Sequence, residues 1–184
     1  MTGTPSLPTK QELAEAITVA TRQTVLQLFH DHAERFYYVT LITTGEALPP
    51  FVAAWSAEAL ALESTRQCID ADLLKWSYAD SPYCCYGESH FAEVNRLFGL
   101  RPRMTHEMTP DDWQSEHDFR LTAMETAMRR LDDEGLFGSG AARNGILVAV
   151  EVMPPDQCNV ARTRRLNHKD SAALKSWLEE AAEK

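Results

Sequence analysis

The chain has 184 residues, 44% hydrophobic and 24% charged, an ordinary globular composition rather than that of a disordered polymer. Its formal net charge of -9 argues against a general binder of nucleic acid or anionic membrane, because such affinity rests on Lys and Arg neutralising phosphates. The opening MTGTPSLPTK lacks the basic flank and apolar run of a secretory signal, and no apolar stretch approaches the roughly 20 residues of a membrane span. A cytoplasmic protein is expected, organised as a single globular domain over 1–184 with residues 1–8 as a flexible tail.

Thr9 and Glu12 have the spacing of a capping box, and Leu13, Ile17, Ala20, Thr24 and Leu28 then recur at helical intervals. A helix over 10–32 follows. Residues 35–45, rich in aromatic and β-branched side chains, read as a strand, and 51–55 return as its hairpin partner. Ser56 is placed to cap a helix over 57–67. Residues 73–76 are expected as a short strand, with Pro82 opening a helix that runs towards 90–99. Trp76 is expected to anchor the core.

The clearest helix starts at the N-cap Thr109, with Pro110, Asp111 and Asp112 in its first turn and Gly135 as its stop. Trp113, His117, Leu121, Met124, Met128 and Leu131 form its apolar stripe. A Gly-rich helix-to-strand turn leads to a strand over 146–153. Residues 158–167 are expected as its partner strand, with Arg162 and Arg164 on one face, and Asp170 opens the last helix. The order predicts an α+β fold: an antiparallel sheet built from hairpins, with several helices packed on it.

Chemistry-bearing residues are present without a catalytic pattern. Glu116 and Asp118 flank His117, but neighbours on a helix point in different directions and neither is placed to orient its ring. His30 and His32 suit a helix C-terminus, and His106 with Glu107 precedes the long helix without an H-E-x-x-H pattern. The four cysteines, Cys68, Cys84, Cys85 and Cys158, lack the spacing of a zinc motif. The adjacent pair Cys84 and Cys85 lies in the crowded stretch KWSYADSPYCCYG (75–87). The first turn of the expected helix would activate these thiols, whereas the nearby acids Asp80 and Glu88 would raise their pKa. No catalytic residues, metal site or cofactor are expected.

FYYVTLITTG, KWSYADSPY, RRLDDEGLFGSGAARNGILVAVEV and the later RRLN, in that order, resemble an uncharacterised bacterial family catalogued as domain of unknown function 4303. That family pattern is expected to carry a second Trp where this chain has Ser81 and Pro82. The resemblance implies a compact α+β domain with no established activity, similar to small acidic proteins that neutralise toxins. The expectation is therefore a non-enzymatic binding protein of immunity type. Its partner is a protein such as a toxin, with no nucleic acid or membrane, met through Glu116, Asp118, Glu125, Asp132 and Asp133 on the long helix. Two alternatives stand beside it: an enzyme using His106, Glu107 or the vicinal cysteines, and a structural subunit of a larger assembly.

Overall fold

The computed structural model describes residues 6–155 and 157–182. Of the tail expected over 1–8, residues 1–5 lie outside the described residues, whereas Pro8 is buried and its carbonyl accepts from Arg101 at 2.9 Å. Helix α1 (Lys10–Asp31) starts at the expected capping box. The Glu12 amide donates to Thr9 Oγ1 at 3.2 Å, and the Thr9 amide donates to the Glu12 carboxylate at 2.7 Å. Strands β1 (Phe36–Thr44) and β2 (Phe51–Ser56) form the hairpin, antiparallel with Leu41 opposite Val52. Ser56 caps α2 (Ala57–Gln67) by accepting from the Ala59 amide at 2.9 Å.

The short strand expected at 73–76 is instead a single helical turn, α3 (Ala71–Leu74). Asp70 caps it by accepting from the Asp72 amide at 3.1 Å, and this local bond diverts the chain from extended structure. No helix begins at Pro82 either. The Tyr83 amide donates to Ser81 Oγ at 3.0 Å, and Cys85 and Gly87 take left-handed backbone angles that a helix cannot continue through. Gly87 is required twice over, because a Cβ there would also lie 2.7 Å from Thr24 Oγ1. A short 3-10 turn (Glu88–Phe91) then leads into α4 (Ala92–Leu100).

Helix α5 (Pro110–Asp133) runs between the expected cap and stop, with Leu121, Met124, Met128 and Leu131 buried. The Gly-rich segment carries a short helix, α6 (Gly140–Asn144), before strand β3 (Leu147–Met153). The sheet has the order β2-β1-β3, and β3 pairs with β1 in parallel, from Tyr38 opposite Leu147 to Thr44 opposite Met153. The fold is α+β as expected, but its sheet is mixed rather than an antiparallel set of hairpins.

The reason lies in residues 158–167. They belong to helix α7 (Gln157–Leu166) and the residue after it, not to a strand, so Arg162 and Arg164 do not share a strand face. The helix nevertheless satisfies the outer edge of β3. Asn159 accepts from the Val152 amide at 2.8 Å and donates to its carbonyl at 3.0 Å, while Asn167 does the same for Val148 at 3.1 and 2.6 Å. Between them Arg162 donates to the Val150 carbonyl at 3.3 Å. Side-chain amides stand in for a fourth strand and leave no bare edge there.

Helix α8 (Ala172–Glu180) closes the described chain, capped by Ser171 rather than Asp170. Trp55 is the large buried anchor, its indole donating to the Ser77 carbonyl at 2.7 Å. Trp76 is only half-buried; it meets Tyr37 edge-on at 5.4 Å and donates to Glu180 at 2.8 Å.

Candidate functional site

The end of α1, the start of β1, the end of β2 and the turn over 81–87 converge at one end of the sheet. Glu34 stands at the centre, on the short connection between α1 and β1. Tyr83 Oη donates to it at 2.7 Å, and Ser56, while capping α2, donates its hydroxyl to the same carboxylate oxygen. The His32 ring packs on Tyr83 at 4.7 Å and on Tyr86 at 5.9 Å, while Tyr86 Oη donates to Asp31 at 2.8 Å. Phe36 continues the cluster, 5.5 Å from Tyr83 and 4.9 Å from Phe29.

Of these side chains, His32, Glu34, Tyr83 and Tyr86 line a cavity of about 450 Å³ whose wall also includes Glu58, Leu62 and Glu63. On the other side of Glu34 a larger cavity of about 610 Å³ is lined by Phe29, Phe36, Tyr37 and Ile146. Arg35 joins the two, its amide and guanidinium donating to Glu58 at 2.8 and 2.7 Å. That contact holds the Glu58 carboxyl at about 2, by the Arg35 side-chain bond and then its backbone bond. The pair stands in solvent, with the Arg35 side chain 83% exposed, so it is a weak restraint that an incoming cation can rearrange.

Burial, and then the Glu34 carboxylate, push the Tyr83 phenol well above its ordinary value; burial, and then the bond to Asp31, raise that of Tyr86. Both phenols therefore keep their protons and act as hydrogen-bond donors. Concave carboxylates between aromatic faces can hold an ammonium or guanidinium by charge and by cation–π attraction.

The acidic residues expected to form an interaction face on α5 are placed differently. Glu116 is buried between Arg120, at 2.8 Å, and Arg101, at 3.1 Å from the guanidinium Nε. Burial alone would raise its pKa, but the two guanidiniums outweigh burial and hold it below the ordinary value. Arg120 also donates to the Ala47 carbonyl at 3.3 Å and the Pro102 carbonyl at 2.6 Å, so this cluster is a structural tie. Glu125 pairs with Arg165 on α7 at 2.8 Å, and Asp132 with Arg143 on α6. Asp118 and Asp133 alone of the five are exposed.

His117 stacks on Trp113 at 4.8 Å. His106 and Glu107 are exposed in the loop before α5, and among the described residues no three His, Cys, Asp or Glu side chains gather to hold a metal. Cys84 is pushed up to about 11, but by burial and then by Cys85, not by Asp80 or Glu88.

Sequence reasoning picked out the stretch holding Tyr83 and Tyr86 but passed over Glu34, Glu58 and Glu63. Glu34 meets Ser56 across 22 positions and Tyr83 across 49, and no local spacing announces such a contact.

Fold and site define an α+β domain with an acidic, aromatic cleft at one end of a three-stranded mixed sheet. The chain belongs to the family described as Domain of unknown function (DUF4303), which it matches over residues 17–168. No curated protein matches it, and no solved structure does. No helix among the described residues is long and apolar enough to cross a membrane.

Proposed function

We propose that the chain is a non-enzymatic, cytoplasmic binding protein that takes a basic group of a protein partner into the cleft around Glu34. Its most concrete form is an immunity-type protein that covers the basic substrate groove of a toxin. The observation that carries this reading is the state of Glu34. Its donors are two hydroxyls rather than a cation, so its negative charge stays available in a cavity that Tyr83 and Tyr86 also line. Protonated phenols beside a carboxylate suit recognition better than nucleophilic attack. The acids of α5 support the reading less, because three of the five already serve internal pairs.

The test is capture by the tagged full-length chain from its native cell, followed by binding kinetics with whatever partner is recovered. Glu58→Arg and Tyr86→Ala alter the cleft, and Asp133→Arg alters the exposed end of α5. A stoichiometric partner that is toxic when expressed alone, and is lost with either cleft variant but kept by Asp133→Arg, supports the proposal. Dependence on Asp133 with indifference to the cleft moves the contact to α5. Recovery of the chain alone at good expression counts against the binding reading.

A further inference from the structure

The turn over 81–87 holds a second chemical feature, beside the two tyrosines it gives to the cleft. Cys84 and Cys85 place their sulfurs 3.8 Å apart. Neighbours in an extended chain point to opposite faces. Here Cys85 adopts the left-handed conformation, φ 58°, and its side chain swings round to the side of Cys84. The turn is held in place by the Cys84 amide donating to the Ser81 carbonyl at 3.1 Å and by a bridge pairing Val52 with Tyr86. Cys85 is exposed and Cys84 half-buried, so the pair is open to solvent.

A direct bond between these sulfurs is disfavoured. Adjacent Cα atoms are about 3.8 Å apart, below the roughly 4.4–6.8 Å usual across a disulfide. One atom inserted between the sulfurs removes that conflict. Two bonds of about 2.3 Å meeting at a tetrahedral centre span about 3.8 Å between their outer ends, and the observed separation is 3.8 Å.

We propose that Cys84 and Cys85 form a bidentate dithiol site for a single thiophilic centre, of the kind supplied by zinc or by a trivalent arsenical. No third His, Cys, Asp or Glu converges on them among the described residues, so solvent fills the remaining zinc positions. A cavity of about 120 Å³ beside Cys85, walled by Glu88 and Asn95, leaves room for that solvent. With zinc, two S–H bonds break, two S–Zn bonds form and two protons leave, with no change of oxidation state. With an arsenoxide, two S–H and the As=O bonds are replaced by two As–S bonds and one water. Tyr83 and Tyr86 flank the pair, so occupancy also fixes the turn that carries the cleft's two phenols.

Equilibrium dialysis against buffered zinc, and thiol counting after phenylarsine oxide treatment, test the site on the full chain. The expected results are one zinc per chain and protection of two of the four thiols. Both are lost in Cys84→Ser and in Cys85→Ser, and kept in the Cys68→Ser, Cys158→Ser double variant. Protection by the arsenical without zinc binding assigns the site to trivalent centres, and zinc binding assigns it to the divalent ion. If neither probe separates the Cys84 and Cys85 variants from the unaltered chain, the proposal fails.

Discussion

The two edges of the sheet are closed by different means. Along β3, helix α7 lays Asn159, Arg162 and Asn167 against the backbone, and the amides reproduce the donors and acceptors of a missing strand. Along β2, the irregular chain from Ser77 to Tyr86 does the covering. Ser81 donates to the Ala54 carbonyl, the Trp55 indole donates to the Ser77 carbonyl at 2.7 Å, and Tyr86 bridges to Val52. The first edge uses buried bonds from two amides and one guanidinium, all held by a helix and the residue after it. The second uses a turn whose other side chains are engaged elsewhere: Tyr83 and Tyr86 donate to Glu34 and Asp31, and the sulfurs of Cys84 and Cys85 meet each other. One edge is sealed by a helix; the other is covered by a turn that also carries the tyrosines of the cleft.

The largest effect that would test this contrast is at Trp55. Trp55→Ala is expected to destabilise by about 3–5 kcal/mol in urea denaturation, since it empties a core site and removes the indole bond that pins the covering turn. Trp76→Ala, at a half-buried position, should cost no more than about 2 kcal/mol by the same method. Equal losses would mean that the turn, not the strand, carries the packing.

Next comes the amide edge. Asn167→Ala and Asn159→Ala are each expected to cost about 1–3 kcal/mol, because each leaves a buried backbone donor and acceptor of β3 unpaired. Hydrogen exchange should show the loss at Val148 for the first and at Val152 for the second. Unchanged protection in both variants would remove the edge-sealing role.

Acid separates the two edges by a different route. Lys75 and Trp76, just ahead of the covering turn, are tied to α8 through Glu180. Its carboxyl is held at about 2, by Lys75 first and then by Ser176 and Trp76. A carboxylate with a depressed folded pKa stabilises fully above its ordinary value of 4.5, and that stabilisation is lost as pH falls towards about 2. Trp76 fluorescence should therefore change across this window and the change vanish in Glu180→Gln. The amides of Asn159 and Asn167 do not titrate there, so exchange protection at Val148 and Val152 should not follow the same curve.

The smallest effect is at Ser81. Ser81→Ala removes a donor to the Ala54 carbonyl and an acceptor for the Tyr83 amide, at an expected cost of about 1 kcal/mol. If the covering turn and the cleft are linked, partner affinity should fall in this variant by more than its stability does.

The misreading of α7 shows why one edge was hidden in the sequence. Hydrophobic periodicity is the main signal of a helix, but the buried positions here are Asn159, Arg162, Thr163 and Leu166. Their spacing is helical while their chemistry is mostly polar. Val160, Arg162 and Arg164 meanwhile alternate as a strand would. The face looked solvated because its polar groups bond to backbone that only the folded sheet supplies. Glu116 is the same lesson with charge, since its position on α5 was plain and its burial between two arginines was not.

By itself the sequence determined what depends on neighbours a few positions apart: the Thr9–Glu12 box, the Ser56 and Thr109 caps, the aromatic and β-branched run of β1, and the stop at Gly135. These are short-range bonds and packing periods, and their partners lie within one turn or one pleat. Tertiary structure alone decided the parallel pairing of β1 with β3, the use of asparagines as an edge strand, and the meeting of Glu34 with Ser56 and Tyr83. Each joins segments distant in the chain, where the contact is chosen by which surfaces the whole fold can bury together.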